Sequence, residues 1–155
     1  MGKVVSVDEL RNHLSPLRKN KKVVFTNGCF DILHVGHVSY LRRARHLGDF
    51  LVVGLNADVS VRRLKGPTRP VQCEEDRATI LSALECVDYV VLFSEDTPKD
   101  LIEKVNPDVL VKGGDWPVDK IVGADYVISI GGQVKSLPFI EGKSSSSILE
   151  KVKKL

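Results

Sequence analysis

The sequence predicts an α/β fold, a doubly wound parallel sheet of five strands flanked by helices. Two observations predict it. Strand-like and helix-like stretches alternate along the chain, which is the pattern of consecutive βαβ units with right-handed crossovers. The strand-like stretches are nearly all apolar, as in residues 50–56, and such strands are buried on both faces of a parallel sheet.

The first third of the chain predicts a helix, a strand and a second helix. Residues 7–17 carry apolar side chains at helical spacing, with Ser6 as N-cap and Glu9 completing a capping box. The apolar run 23–25 predicts the first strand. Residues 38–47 again show helical spacing, and Gly48 ends that helix.

The middle of the chain predicts two strands separated by helical segments. Residues 50–56 form the second strand, followed by a short helix at 59–64 and a Gly/Pro-containing loop at 65–70. Residues 74–85 predict an amphipathic helix, and residues 87–93 predict the third strand. The apolar face of the amphipathic helix carries Ala78, Ile80, Leu81 and Leu84.

The last third of the chain continues the alternation. Thr97 is expected to cap a helix that has Pro98 at its first position and runs to about residue 105. The fourth strand is expected at 108–111 and the fifth at 133–137, with a short helix at 123–130 between them. The last helix is expected at 144–154.

Composition narrows the class of protein. Residues 1–155 are expected to form one domain, with a helix within residues 1–20 packed against it. The net charge of +3 is too small to favour nucleic acid, and no apolar run approaches the length of a membrane span. Three cysteines cannot all pair and show no metal-ligand spacing, which indicates a reducing cytoplasm.

The chemistry is concentrated in residues 26–37, between the first strand and the second helix. His34 and His37 are three positions apart and therefore share one face of the first helical turn. Free backbone N–H groups at a helix start favour an anion there. Gly28 and Gly36 would let a ligand approach the backbone closely.

This stretch allows three interpretations. The histidines could be ordinary, satisfied side chains of a strand–turn–helix. They could bind a metal together with Asp31 or Cys29, although no second His/Cys cluster follows. The turn could instead hold the phosphates of a nucleotide, and its position past the carboxyl end of a strand favours this. Cys29 as a thiol nucleophile is disfavoured, because no third group that would orient a base is evident.

Two later segments should reach the same end of the sheet. Lys65 follows the second strand, and it is either a solvated lysine or a mobile cation that closes on a triphosphate. Arg77 has the same two interpretations. The segment 112–116, Lys-Gly-Gly-Asp-Trp, ends the fourth strand. It is either a glycine turn or a place where Asp115 accepts hydrogen bonds from substrate hydroxyls.

A run of four serines, 144–147, follows Glu141-Gly142-Lys143. One serine could cap the last helix, or the hydroxyls could donate to phosphate oxygens, and the sequence leaves both open. The segment is not a P-loop, because that motif requires glycine where this chain has Leu137.

Residues 28–37 resemble the signature of the cytidylyltransferase-like nucleotidyltransferases, Gly-x-Phe-Asp followed by His-x-Gly-His. The closer resemblance covers nearly the whole chain. It is to the heptose 1-phosphate adenylyltransferase branch, which in many bacteria forms the C-terminal domain of a bifunctional protein with a sugar kinase; this chain resembles the stand-alone form. It implies a Rossmann-like nucleotidyltransferase fold. The segments that carry it are 54–66, 69–71, 75–78, 96–98, 107–115 and 121–124.

The resemblance also implies roles for individual residues. His34, His37 and Lys65 would be catalytic at the phosphates, and no residue is expected to bind a metal. The substrate-binding residues would be Asp31, Asn56, Asp115 and Glu141. The nucleotide-binding residues would be Asn27, Gly28, Cys29, Phe30, Gly36, Arg77, Gly142, Ser144, Ser145 and Ser146.

The implied reaction moves AMP from ATP, accompanied by Mg²⁺, to a sugar 1-phosphate and releases pyrophosphate. ADP-heptose for lipopolysaccharide core or surface glycan would be the product. ATP and the sugar 1-phosphate are the expected partners, without nucleic acid or membrane, and dimers are common in the family. The alternatives are a cytidylyltransferase for glycerol 3-phosphate or a related alcohol phosphate, an FAD synthetase, and a sensing module without catalysis. Phe139 stands where the glycerol-phosphate branch has arginine, which disfavours that branch.

Overall fold

The computed structural model describes all 155 residues as alternating strands and helices. A 3-10 helix, Val118–Lys120, adds a single turn. The strands are β1 (Lys3–Val4), β2 (Val23–Gly28), β3 (Phe50–Asn56), β4 (Tyr89–Phe93), β5 (Val109–Gly113) and β6 (Gln133–Leu137). The helices are α1 (Val7–Leu14), α2 (Val35–Arg45), α3 (Asp58–Lys65), α4 (Glu74–Ser82), α5 (Lys99–Val105), α6 (Ala124–Ser129) and α7 (Ser145–Val152).

All strands pair in parallel in the order β1-β4-β3-β2-β5-β6. From β2 the chain winds outward through β3 to β4, and it then returns to the other side of β2 to add β5 and β6. The predicted doubly wound parallel sheet is confirmed. The predicted number of five strands is wrong by one, because β1 pairs with β4 at the edge. Two residues are too few to show a periodic pattern.

Two apolar layers cover the faces of the sheet. Leu10 and Leu14 of α1 pack with Phe25 and Leu110 of the sheet on one face. Leu41 and Leu81, from α2 and α4, belong to the layer on the opposite face. Successive strand residues point to opposite faces, so the nearly continuous apolar runs of β2 and β3 serve both layers. None of the helices combines the length and the apolar character that crossing a bilayer requires.

The helix ends show where local chemistry decided the boundaries. Ser6 forms the predicted capping box with Glu9. The helix α1 stops at Leu14 and not at residue 17, because Pro16 has no backbone N–H to continue the helical hydrogen bonds. The predicted cap by Thr97 is wrong: Pro98 occupies the N-cap position of α5 and no side chain caps it.

Candidate active site

A crevice opens in the middle of the sheet, between β2 and β5. The strand β2 is in register with β3 over six residue pairs, but with β5 over only two, Val24–Val109 and Phe25–Leu110. The carboxyl ends of β2 and β5 therefore diverge. This is the point at which the winding of the sheet reverses, where open α/β sheets bind their ligands.

A cavity of about 200 Å³ lies in this crevice. Its walls come from the end of β2 and the following loop, from α2, from the end of α3, from the end of β5 and from the start of α7. The lining residues are Asn27, Gly28, Cys29, Phe30, Asp31, His37, Tyr40, Lys65, Lys112, Gly113, Phe139 and Ser145. Eight of the predicted site residues are thus brought together by the fold.

The loop after β2 has an unusual backbone. Phe30 and Ile32 have φ values of 46° and 55°, in the left-handed region that non-glycine residues seldom adopt. The ring of Phe30 folds back over Gly28, where a Cβ atom would lie 2.9 Å from the ring. The missing side chain of Gly28 therefore makes room for Phe30, and Gly28 also lines the cavity, so that its role in ligand binding stays a prediction.

Asp31 is buried in the wall of the cavity, and both of its carboxylate oxygens accept hydrogen bonds. Its Oδ2 accepts hydrogen bonds from Arg69 Nε and Val71 N, each at 2.8 Å, and its Oδ1 accepts one from Gln72 N at 3.0 Å. Burial raises the pKa of this carboxyl, but these donors outweigh burial and hold the pKa below its usual value. The carboxylate thus anchors residues 69–72, and the predicted contact of Asp31 with the substrate stays a prediction.

His34 caps the N-terminus of α2. Its Nδ1 accepts a hydrogen bond from Gly36 N at 3.1 Å, so the proton of the neutral ring is on Nε2. Burial lowers the pKa of His34 and favours this neutral form. A Cβ atom on Gly36 would lie 2.9 Å from the His34 ring. Glycine at this position therefore leaves the space that the His34 imidazole occupies.

His37 lies against His34 and lines the cavity. The two rings stack with centroids 3.9 Å apart, and the edge of Phe30 contacts His37 with centroids 5.3 Å apart. The Nδ1 of His37 is buried without a hydrogen-bond partner. Burial, followed by the positive charges of His34 and Lys65, lowers the pKa of His37 to about 4. Both histidines are thus neutral near pH 7 and present one N–H donor each.

Lys65 is the last residue of α3, and it reaches the cavity from the side of β3. It is exposed and forms none of the ion pairs of the molecule. Its ammonium group is therefore free to bind an anion in the cavity.

Arg77 is completely buried under the loop that carries Cys29. Its guanidinium donates to Cys29 O at 2.6 Å, to Gln72 O at 3.0 Å and to Asp58 Oδ1 at 2.8 Å. All three nitrogens have partners, and the side chain is 0% exposed. The predicted contact of Arg77 with the nucleotide is corrected: the side chain fixes the walls of the site from below.

The first two serines of the run have different roles: one caps α7 and the next lines the cavity. Ser144 forms a capping box with Ser147 at the start of α7, so its hydroxyl acts within the helix. Ser145 lines the cavity, and its hydroxyl donates to Asp31 O at 2.5 Å. Ser146 and Gly142 are exposed and lie outside the lining of the cavity.

The remaining predicted substrate contacts are not gathered in the cavity. Asn56 is buried at the end of β3, and its amide donates to Ser60 Oγ at 2.9 Å. The predicted contact of Asn56 with substrate is corrected, since this hydrogen bond holds the start of α3. Asp115 and Glu141 are exposed and lie outside the lining.

Four lining residues were absent from the predicted set: Tyr40, Lys112, Gly113 and Phe139. Tyr40 is three residues after His37 on α2, and this spacing could have revealed it. Its hydroxyl is 2.5 Å from Thr26 Oγ1, and burial raises its pKa to about 12. Lys112 and Gly113 end β5, which the sequence places at the ligand edge. Phe139 packs over Gly113, where a Cβ atom would lie 2.5 Å from its ring.

The cavity offers no ready-made metal site. No group of three or more His, Cys, Asp or Glu side chains is placed to hold a metal ion. Asp31 is the only carboxylate in the lining, and both of its oxygens accept hydrogen bonds. What the cavity does offer is a lysine on either side and the neutral imidazole of His37, which suits a phosphorylated ligand; His34 is stacked against His37 and lies outside the lining.

Comparison with known proteins defines the class. Residues 25–151 match the family model described as cytidylyltransferase-like. The chain belongs to this family, and it is a nucleotidyltransferase.

The similar curated proteins are longer than this chain. The chain is 58% identical over 135 residues to the bifunctional protein HldE of Syntrophotalea carbinolica, covering 87% of this chain and 28% of that protein. It is 54% identical over 154 residues to the HldE of Geobacter sulfurreducens, covering 99% of this chain and 31% of that protein. The chain thus spans less than a third of the length of these relatives.

Solved structures show the same architecture. A lipopolysaccharide core biosynthesis protein from Thermoplasma volcanium superposes with a TM-score of 0.63 at 31% identity, covering 80% of this chain and all of that one. Pantothenate synthetase from Thermus thermophilus superposes with a TM-score of 0.62 over 98% of this chain and 70% of its own length. At 21% identity, the second likeness shows the fold alone.

Proposed function

We propose that the protein transfers AMP from ATP to a sugar 1-phosphate, heptose 1-phosphate, and releases pyrophosphate. The product would be ADP-heptose for lipopolysaccharide core or surface glycan. The observation that carries the transfer chemistry is the neutral imidazole of His37, which lines the crevice with Lys65 and is stacked on the neutral imidazole of His34. The choice of ATP and heptose is supported by the resemblance to the HldE proteins.

In this reaction a phosphate oxygen of the sugar attacks the α-phosphorus of ATP, and the bond from that phosphorus to the β-phosphate oxygen breaks. The nucleophile is already an anion, so the protein need not remove a proton. Its task is to align the two phosphates and to stabilise the developing charge. His34 and His37 donate N–H groups to the phosphates, and Lys65 binds the departing pyrophosphate.

The histidines are arranged for this role by their neighbours. The hydrogen bond from Gly36 N to His34 Nδ1 fixes the tautomer of His34, so that Nε2 is the donor of this ring. The burial that keeps His37 neutral also strengthens any hydrogen bond that it donates to an anion. Since both rings are seated before a ligand arrives, little reorganisation accompanies the reaction.

Mg²⁺ belongs to this proposal as a companion of ATP. The residues of the cavity do not fit a protein-bound ion, because the oxygens of Asp31 are occupied. The ion would therefore enter with the nucleotide phosphates as part of the substrate. The further expectations also remain proposals. They are a location in the cytoplasm, small-molecule substrates without nucleic acid or membrane, and the homodimer that is common in the family.

The test is pyrophosphate release by the purified protein with Mg²⁺. Each of ATP and CTP is offered with heptose 1-phosphate, glycerol 3-phosphate or FMN. Turnover with ATP and heptose 1-phosphate alone supports the proposal. Turnover with another pair would change the proposed substrates but not the proposed nucleotidyl transfer. A folded protein that binds nucleotide but turns over no pair would indicate a sensing module.

A further inference from the structure

A second lysine faces the cavity from the wall opposite Lys65. Lys112 lies on β5 at the far side of the crevice, whereas Lys65 comes from α3 on the side of β3. We propose that Lys112 binds the phosphate of the acceptor and thereby positions the nucleophile. This inference rests on the proposed transfer to a phosphorylated acceptor.

The surroundings of Lys112 fit an anion site. The three residues before it on β5, Val109–Val111, are buried, and Lys112 is half-buried where the strand leaves the core. None of the ion pairs in the molecule includes Lys112. An ammonium at the wall of a cavity, without a carboxylate partner, is available to an anionic ligand.

The direction of the reaction assigns the two lysines to different phosphates. In a phosphoryl-type displacement, the attacking oxygen and the leaving oxygen lie on opposite sides of the reacting phosphorus. With Lys65 on the pyrophosphate, the cation on the opposite wall is placed for the attacking phosphate. Lys112 would therefore affect recognition of the acceptor more than recognition of ATP.

Trp116 lies close to the Lys112 side chain, and its fluorescence can be measured. The Lys112 ammonium lies 5.9 Å from the centroid of the Trp116 ring. The ring is held by a hydrogen bond from its Nε1 to Gly113 O at 3.1 Å. Trp116 is the only tryptophan of the chain, so its fluorescence reports on the surroundings of Lys112.

The first experiment compares Lys112→Met with wild type in steady-state kinetics. We expect the KM for the sugar phosphate to rise at least about tenfold, as for the loss of one charge-assisted hydrogen bond, while the KM for ATP changes less than about threefold. Lys112→Arg should restore most of the affinity. Lys135→Met is the matched control, because Lys135 is an exposed lysine on the neighbouring strand β6. An unchanged acceptor KM, or a rise confined to the KM for ATP, would overturn the assignment.

The second experiment separates this inference from the proposed function. Heptose 1-phosphate is titrated against Trp116 fluorescence in the presence of a non-hydrolysable ATP analogue. An affinity weakened at least about tenfold in Lys112→Met but not in Lys135→Met supports the role of Lys112, even if the wild type shows no turnover. Equal affinities in wild type and Lys112→Met reject it. Should Lys112→Met fail to fold, as judged by circular dichroism, Lys112→Gln takes its place.

Discussion

Arg77 donates a 2.6 Å hydrogen bond to the backbone carbonyl of Cys29, from beneath the loop that forms one wall of the cavity. Through Gln72 and Asp58 the same guanidinium also joins the loop before α4 and the start of α3. One buried side chain therefore holds three segments that surround the ligand. Its contribution is to the shape of the site.

Replacement of Arg77 should show this contribution as a loss of stability. In Arg77→Met the Asp58 carboxylate and the Cys29 carbonyl lose their partner, and we expect the free energy of unfolding to fall by about 3–5 kcal/mol. Urea denaturation measures it. Arg63→Met is the control, since Arg63 pairs with Asp96 at the surface and should matter little. A nearly unchanged unfolding midpoint for Arg77→Met would contradict the structural role.

Asp31 makes a second prediction, which depends on pH. Its folded pKa lies below the usual 3.8, so its contribution to stability is complete above that pH and is lost as the pH falls through the folded value. We expect Asp31→Asn to lower the free energy of unfolding at pH 7 by at least about 2 kcal/mol. The difference between the two proteins should stay constant from pH 7 to 5 and narrow below about pH 4. Urea titrations at pH 7, 5 and 3.5 test this, and a difference that grows in acid would refute it.

His37 also makes the protein less stable as the pH falls, but over a higher pH range than Asp31 and because of burial. Its pKa is about 4 in the folded protein against 6.5 for an unperturbed histidine, so protons bind the unfolded chain more tightly. Between pH 7.5 and 5 the wild type should therefore lose stability on the order of 1 kcal/mol more than His37→Gln, less than the full shift implies because the ring is partly solvated. Thermal unfolding at the two pH values provides the measurement. Parallel pH profiles would show that His37 titrates normally.

The catalytic role of His37 makes a third kind of prediction. We expect His37→Ala to lower kcat at least about a hundredfold, the scale of one lost transition-state donor. The assay is pyrophosphate release at saturating ATP and acceptor. A nearly normal kcat in a folded variant would reject the role.

The position of the His34 ring against Gly36 can be tested without changing either histidine. In Gly36→Ala the new methyl group would lie 2.9 Å from the His34 ring and force the imidazole away from its hydrogen bond with Gly36 N. We expect kcat to fall at least about tenfold, because the donor is no longer aligned. Val35→Ala is the control, since Val35 is an exposed neighbour on the same helix. Equal activity of both variants would show that His34 does not require this position.

Much of the fold could be predicted from the sequence because apolar runs and capping residues act locally. The runs at 50–56 and 133–137 define strands at those bounds, and Ser6 defines the first turn of α1. The position of the cavity could also be predicted, because strand ends of a parallel sheet meet at one edge. The edge strand β1 could not be predicted, since its pairing with β4 depends on tertiary contacts.

The direction in which a polar side chain points could not be predicted. Arg77 and Asp31 belong to a sequence pattern near the phosphates, yet both form hydrogen bonds with backbone and side-chain groups of the protein itself. No local rule distinguishes an arginine that binds a ligand from one that binds a carbonyl 48 residues away. Lys112 shows the converse: the sequence placed segment 112–116 at this end of the sheet with Asp115 as the candidate contact, but Lys112 lines the cavity and Asp115 does not.

The divergence of β2 from β5 has a consequence for how the protein folds. The junction joins distant parts of the chain, as in the bond from Val23 N to Asp108 Oδ2 across 85 positions. Contacts of such long range carry the largest loop-closure cost, so we expect this junction to form after the pairing of β2 with β3. A chain halted before that step would possess both histidines and lack the wall that carries Lys112. Because a ligand that binds both walls recognises only the finished sheet, it would shift the folding equilibrium toward the native state.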